Sequence, residues 1–245
     1  MSVGETELNE YWALLREIEQ LAFEDVAAIL RSLEGEHPAF IINALKEQIP
    51  ELAGAYRGMA ADTAMLFYEE TQGLALDAAA ARAASVVPEE QLLANLRWAV
   101  FSAEQAALLG NVAAIVQKTI TDGSRQYGMQ GFVETGGGWY RAAQPGACAF
   151  CRMLATRAAT EWGPYTSASA AVFIGEGPTS RSAAPPETKF HKNCHCIPVR
   201  AESYVIPEHV NEWTEVYYRA TEEVGNAFNT NDILAEMRRI SGIPH

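Results

Sequence analysis

The spacing of the four cysteines most constrains how this chain can fold. Cys148 and Cys151 form a C-x-x-C pair, and His191, Cys194 and Cys196 belong to a second cluster with the pattern H-x-x-C-H-C. Two residues three positions apart on a tight turn can direct both side chains at one ion, and two such turns complete a tetrahedron. Thiolate and imidazole are ligands that zinc prefers. We therefore predict a structural zinc ion, Zn2+, held between the two clusters.

Spacing does not decide which four of these residues bind the ion. The four cysteines form an all-thiolate set, and His191 can replace either Cys194 or Cys196. His195 lies between two cysteines and is expected to point away from the ion, as a histidine near the ligands or on the surface.

Two other interpretations of the cysteines do not involve a metal. The thiols can be reduced and unliganded, or Cys148 and Cys151 can form a redox pair. A redox pair favours a strand–helix context of the thioredoxin type, whereas this pair follows Pro145–Gly146. The redox interpretation would also leave the second cluster without a role.

The setting expected for the protein is cytoplasm-like, and it disfavours disulfides. Met1–Trp12 is acidic and polar, unlike a secretory signal. No segment approaches the roughly 18 uninterrupted apolar residues of a membrane span. Cysteines in this setting are more often metal ligands or thiols than disulfides.

The first third of the chain has helical periodicity. Residues 5–34 place apolar side chains at spacings of three or four, which predicts one amphipathic helix. Pro38 suits the first turn of a second helix, which should end near Ile49 because Pro50 interrupts it. A third helix is predicted to end at Gly73. The inner face predicted for this third helix consists of Leu52, Tyr56, Met59, Thr63, Leu66 and Phe67.

Another helical pattern begins at Pro88. Proline followed by two acidic residues favours a helix start, and the apolar spacing predicts one helix that continues to Ile120. The alanine-rich residues 74–87 predict a loop or a short helix. Thr121–Gly123 and the triple glycine Gly136–Gly138 then break the periodicity.

Short strands and loops follow in the cysteine-bearing part of the chain. Trp139–Arg141 and Ile197–Val199 predict strands, and residues 175–189 have too few large apolar side chains for anything but an exposed loop. Helical periodicity returns over Pro207–Val224 and again over Asn231–Ile240.

The fold class predicted from these patterns is mainly α. Long N-terminal helices (residues 1–120) are followed by a small α+β, loop-rich, zinc-stapled module (residues 121–205) and by C-terminal helices (residues 206–245) that could serve for docking. The loop of the module has little apolar surface to bury, so a metal crosslink would supply the stability that burial cannot.

Charge argues against binding to nucleic acid through the overall surface. The net charge is -13, and residues 1–50 hold 3 basic and 10 acidic side chains. Phosphates are attracted by positive charge. Residues 121–200, with 8 basic and 5 acidic side chains, are the locally basic part. Contact with nucleic acid is therefore not favoured but is conceivable there.

The sequence shows no pattern for catalysis at the zinc. A hydrolytic site needs an open coordination position and a general base, and neither Glu161 nor Glu187 lies in an H-x-E or H-E-x-x-H pattern. We therefore predict that the protein is not an enzyme. The alternatives are a zinc-dependent nuclease or DNA-processing enzyme, and a zinc-stapled cytoplasmic protein that regulates another protein.

Three segments resemble a specific family. Gly138–Arg141, Pro145–Ala155 and Phe190–Cys196 are similar to MuF-like minor capsid proteins (phage head morphogenesis proteins) of actinobacteriophages, in which C-x-x-C is followed by H-x-x-C-x-C. Ala55–Asp62 and Leu66–Glu70 are similar in character to the helical region of that family. The resemblance is sharp over about 140–200 and diffuse over about 40–120.

The resemblance implies a component of the virion. Proteins of this family are present in few copies at the portal vertex or capsid interior, where they act in head assembly or DNA delivery. The implied partners are the phage portal and/or major capsid protein, with self-association as a further expectation and no membrane contact. Assembly would take place in the host cytoplasm. By the same resemblance, His195 is not a zinc ligand.

Overall fold

A computed structural model describes residues 2–75, 86–102, 107–166, 195–227 and 229–243 of the chain. Within these ranges the protein is mainly helical and has one two-stranded antiparallel sheet, so the predicted mainly-α class is confirmed. In chain order the elements are α1 (Glu5–Ser32), α2 (Pro38–Gln72), α3 (Glu89–Ser102), α4 (Leu108–Thr135), β1 (Trp139–Ala142), α5 (Ala149–Ala155), a 3-10 helix (Thr156–Ala159), β2 (Ile197–Arg200), α6 (Glu208–Val224) and α7 (Thr230–Ser241).

Helix α1 forms as predicted because its apolar residues recur on one face. The Glu7 carboxylate accepts a hydrogen bond from the Gly4 amide at 2.9 Å, which satisfies one of the donors left unpaired at the start of a helix. The buried side chains of α1 are Leu8, Tyr11, Trp12, Leu15, Ile18, Ala22 and Val26.

The predicted end of the second helix near Ile49 is wrong, because α2 continues through Pro50. Proline inside a helix removes one hydrogen bond and costs about 3 kcal/mol. Leu45, Ile49 and Ala53 are fully buried on either side of the proline. Burial of this apolar stripe offsets the local penalty, so one long helix replaces the predicted two. It ends as predicted at Gly73, whose left-handed backbone (φ 62°) closes the last turn.

The inner face predicted for the second half of α2 is wrong at two of its six residues. Met59 and Leu66 are exposed, whereas the small residues Ala60, Ala61 and Ala64 are buried. Helix α4 packs against this side of α2, and small side chains allow the two backbones to approach closely. The neighbouring helix, which periodicity does not reveal, therefore selects the buried stripe.

The single helix predicted from Pro88 to Ile120 is two helices in the structure. Helix α3 ends at Ser102, and α4 runs without interruption from Leu108 to Thr135, across the predicted break at Thr121–Gly123. The polar side chains there belong to the interior of the helix: Ser124 Oγ donates to the Thr121 carbonyl at 2.9 Å. The predicted boundary at 120/121 therefore falls inside α4.

Both predicted strands are present, and they pair with each other. The antiparallel register places Trp139 opposite Arg200 and Ala142 opposite Ile197. Tyr68 in α2 donates its hydroxyl proton to the Pro198 carbonyl at 2.7 Å, which fastens β2 to the long helix. The two-stranded sheet thus shares the main apolar core with α1–α4.

Helices α6 and α7 form the C-terminal part, as predicted. Their apolar faces pack on α5 and the 3-10 helix in a second core that includes Met153, Ala220, Leu234 and Met237. The predicted exposed loop at 175–189 lies outside the described residues, as does most of the alanine-rich segment 74–87. In the described part of the chain, no helix combines the length and the apolar character that crossing a bilayer requires.

Candidate metal centre

The sheet brings the two cysteine-bearing segments towards each other. Ala142 at the end of β1 pairs with Ile197 at the start of β2. The next residues outward are therefore Ala143 and Cys196, which belong to the same buried cluster. A short antiparallel ladder thus spans the long sequence gap between the C-x-x-C pair and the second cluster.

A turn and a short helix present the C-x-x-C pair. The Ala147 amide donates to the Gln144 carbonyl at 2.9 Å, which closes the turn before Cys148. Cys148 is the N-cap residue of α5, and the Arg152 amide donates to its carbonyl at 3.0 Å. Cys151 follows one turn into the helix and points into the protein. The spacing therefore produces one exposed and one buried thiol at the start of a helix.

Arg152 holds this turn in place. Its Nε donates to the Ala147 carbonyl at 2.7 Å, and its guanidinium carbon lies 5.0 Å from the centre of the Trp213 ring. Burial lowers the pKa of Arg152, and the nearby Cys148 opposes this effect. A guanidinium beside a cysteine favours the thiolate, the form that binds metals.

Two of the candidate thiols occupy one buried apolar cluster. Cys151 is 3% exposed and Cys196 is 2% exposed, and they share their cluster with Ala155, Val210 and Trp213. No disulfide joins any two of the three described cysteines. The cluster therefore holds two of the candidate thiols, and the third lies on the adjoining turn.

The structure does not assemble the complete predicted ligand set. His191 and Cys194 lie outside the described residues. Within the described ranges, no group of three or more histidine, cysteine or acidic side chains is arranged to hold a metal ion. The zinc site therefore stays a prediction.

His195 faces the helical core, on the side of α1 and α4. Its Nε2 lies 3.0 Å from Nε2 of Gln117, and its Nδ1 lies 3.6 Å from Oε2 of Glu19. Its backbone carbonyl accepts a hydrogen bond from Nε1 of Trp12 at 3.1 Å. These contacts hold the His195 ring against side chains of α1 and α4.

Two buried arginines, one of which contacts the site, were not predicted from the sequence. Arg125 in α4 is buried; its Nε donates to the Cys196 carbonyl at 2.9 Å, and its Nη1 lies 3.0 Å from Oδ1 of Asp122. Arg57 in α2 is also buried and donates to the Thr119 carbonyl at 2.6 Å. In the sequence these residues look like ordinary charged positions on helices. One signal was available in the sequence. A charged residue at a position that helical periodicity places in the core indicates a buried polar contact.

Glu19 is the most perturbed acid near the site. Burial raises its pKa from an ordinary 4.5 to about 7, although the hydrogen bond from Gln117 and the charge of Arg125 act in the opposite direction. Gln117 Nε2 donates to Glu19 Oε2 at 3.3 Å, whereas Oε1 is buried without a hydrogen bond from any described group. A carboxylate in this environment favours its protonated form.

Comparisons with known proteins identify a matching family. The chain matches the model of the family described as VG15 protein over residues 2–220. No curated protein matches the chain, and no solved structure does. Because the family match covers nearly the whole chain, the protein belongs to the VG15 protein family, a family of phage or viral proteins.

Proposed function

We propose that this protein is a minor structural component of a tailed-phage virion. In this role it acts at the portal vertex or in the capsid interior, in head assembly or DNA delivery. The observation that carries the proposal is the match of residues 2–220 to a phage protein family. The resemblance of Pro145–Ala155 and its neighbours to MuF-like head proteins supports the more specific assignment.

The proposal includes a structural zinc site built on the C-x-x-C turn. Cys148, Cys151 and Cys196 are the described candidates, and Cys194 or His191 would complete the four ligands. A bound zinc ion would crosslink the start of α5 to the start of β2. We assign it a structural role because thiolates dominate the candidate set and two of them are buried, as in closed structural sites.

The residues around the candidate ligands keep them in place. Arg152 fixes the turn that carries Cys148, and Arg125 holds the backbone carbonyl of Cys196. The antiparallel pairing of β1 with β2 sets the separation between the segment that carries Cys148 and Cys151 and the segment that carries Cys196. These contacts preorganise the thiols, so less conformational entropy is lost when the metal binds.

The proposed partners are the portal and/or the major capsid protein. The helices hold most of the acidic side chains of the chain, which suits protein contacts and disfavours packaged DNA. No catalytic role is part of the proposal.

The virion assignment is tested on purified particles of the phage that encodes the chain. Quantitative mass spectrometry is expected to detect its peptides at a small fraction of the major capsid protein. Particles washed at high salt should retain the protein. Absence from intact particles, with abundant protein in the infected cell, would contradict a virion component and favour a non-virion role in assembly or regulation.

The zinc site is tested by the metal content of the purified, reduced protein. We expect about one zinc per chain in the wild type and none in Cys151→Ser, because a closed site needs all four ligands. His195→Gln is the matched control and should retain the zinc. Comparison of His191→Gln with Cys194→Ser would identify the fourth ligand. A reduced wild-type protein without metal would overturn the zinc proposal and leave the virion assignment intact.

A further inference from the structure

Four of the large apolar side chains that helices α1 and α2 expose form two evenly spaced pairs. Leu14 and Leu21 are 51% and 46% exposed, and Met59 and Leu66 are 46% and 55% exposed. Each pair is seven residues apart, which places its members on one stripe of a helix. We call the surface that carries these four residues the α1–α2 outer face.

Both stripes point away from the rest of the helical core. Residues two apart on a helix differ in direction by about 200°. Glu19 contacts α4, so Leu21 points to the opposite side of α1. Arg57 contacts α4 as well, so Met59 points to the opposite side of α2. The two stripes therefore lie on the same side of the helix pair, opposite α4.

Contacts between the two helices place the stripes level with each other. Tyr11 stacks on Phe67 with ring centroids 4.2 Å apart, and Tyr56 donates its hydroxyl proton to Asp25 at 2.7 Å. These two contacts make α1 and α2 antiparallel and determine their register. In that register Leu14 lies within about one turn of Leu66, and Leu21 lies within about one turn of Met59. The four side chains thus form one patch along the seam between the two helices.

The patch has acidic margins on both helices. The exposed acidic residues beside it are Glu10, Glu17, Glu24, Asp62, Glu69 and Glu70. The basic residues of α1 and α2 lie elsewhere: Arg16 bonds to Gln144 on another side of α1, Arg57 is buried, and Arg31 and Lys46 are nearer the other end of the helix pair. An apolar stripe with negative charge along both edges is complementary to an apolar stripe with positive edges.

We propose that the α1–α2 outer face binds an amphipathic helix of another protein, one whose apolar stripe is flanked by lysine or arginine on both sides. The seam between two antiparallel helices accepts such a helix through residues spaced three, four and seven apart. A second copy of this chain is a poor occupant, because the same face would oppose carboxylates to carboxylates. The patch is separate from the cysteines, so this inference does not depend on the zinc site.

A designed peptide probes the face directly. The peptide has about three heptads, with leucine along one stripe and lysine on both flanks, and its binding to the full chain is followed by fluorescence anisotropy. We expect Leu21→Gln/Met59→Gln to weaken binding at least about tenfold, because the apolar contact is lost while glutamine preserves the helix. The matched control is Phe40→Gln/Tyr218→Gln, two exposed aromatic residues on other surfaces, which should change the affinity less than about threefold.

Charge-reversal variants show whether the peptide binds at the α1–α2 outer face or is attracted by the negative net charge of the whole protein. Glu17→Lys/Asp62→Lys should lose the lysine-flanked peptide and gain a peptide with glutamate at the same flanks. Glu212→Lys/Glu215→Lys has the same net charge and should behave like the wild type. Failure of the wild type to bind the lysine-flanked peptide, or equal weakening by both charge variants, would overturn the proposal. A dimer in sedimentation equilibrium that Leu21→Gln/Met59→Gln abolishes would also overturn it, in favour of a second copy.

Discussion

At the scale of single residues, the contact between Glu19 and Gln117 shows how burial changes the chemistry of an ordinary side chain. Glu19 sits on the largely buried side of α1, where its carboxylate loses solvation and gains only part of its hydrogen bonding. The pKa rises to about 7 because the charged form is the one that burial disfavours. Ionisation of Glu19 near neutral pH therefore works against folding.

This effect predicts a pH dependence of stability. The folded-state pKa lies above the ordinary value of 4.5, so the contribution to stability is complete below about pH 4.5 and is lost as the pH rises through about 7. The free energy of unfolding falls by at most about 3 kcal/mol over this pH range. Glu19→Gln should remove this decrease of the unfolding free energy with pH. Glu17→Gln, at an exposed position on the same helix, should retain it. Urea denaturation between pH 5 and 8 measures both, and an unchanged slope in Glu19→Gln would contradict the assignment.

A second prediction at this scale concerns the bond between α2 and β2. Tyr68→Phe leaves the buried Pro198 carbonyl without its donor, and should lower the free energy of unfolding by about 1–3 kcal/mol. Tyr204→Phe is the matched control, because the Tyr204 hydroxyl is buried without a hydrogen-bond partner among the described groups. Chemical denaturation measures the free energy of unfolding of both variants. An equal decrease in the two would show that the hydrogen bond of Tyr68 contributes little to stability.

At the scale of elements, the contact between α2 and α4 depends on glycine. A Cβ atom on Gly128 would lie 2.6 Å from the Tyr68 ring, and one on Gly131 would lie 2.3 Å from the Leu74 side chain. Such distances are too short for van der Waals contact. The Tyr68 ring is held by its bond to Pro198 and cannot move aside freely. The glycines that look like helix breakers therefore allow two long helices to pack closely.

Alanine substitutions test this packing. Gly128→Ala should destabilise the protein by about 1–3 kcal/mol, because overpacking exceeds the gain in helix propensity. Gly110→Ala near the start of α4 meets no atom within 4 Å, and should stabilise the protein by about 0.5–1 kcal/mol. Thermal and urea denaturation of both variants provide the measurement. Stabilisation by Gly128→Ala would show that α2 and α4 separate more readily than their contacts indicate.

At the scale of the whole molecule, the C-terminal helices form a second packing unit. Their main contacts are with each other, with α5 and with the 3-10 helix. The family match ends at residue 220, so α7 lies beyond it. Helix α5, with Cys148 at its N-cap, therefore lies between the main core and helices α6 and α7. A metal bound at the start of α5 would connect these two units.

Removal of α7 tests this organisation. A chain that ends at Gly225 exposes the apolar side of α5 that Met237 covers. We expect faster amide hydrogen exchange in α5 and α6, with exchange in α1, α2 and α4 unchanged. Met237→Ala should produce the same pattern more weakly. A uniform increase over the whole chain would show that the two cores unfold as one unit.

The sequence by itself determined the elements whose signals are local. The apolar spacing of α1, the stop at Gly73 and the two short strands depend on neighbouring residues alone, so periodicity and turn chemistry predicted them. The C-x-x-C pair was expected on a tight turn, and the structure places Cys148 at the N-cap and Cys151 inside α5. The family assignment agrees at the level of a phage protein, and the MuF-like and zinc assignments stay proposals.

Only the tertiary structure decided which surfaces are buried. Pro50 remains inside a helix because burial on both sides offsets a local penalty, and α4 continues past Gly123 because its polar side chains find partners inside the protein. The pairing of β1 with β2, which brings Cys151 and Cys196 into one buried cluster, joins residues far apart in the chain. Such long-range contacts depend on how several elements pack together, and no short window of sequence contains that information.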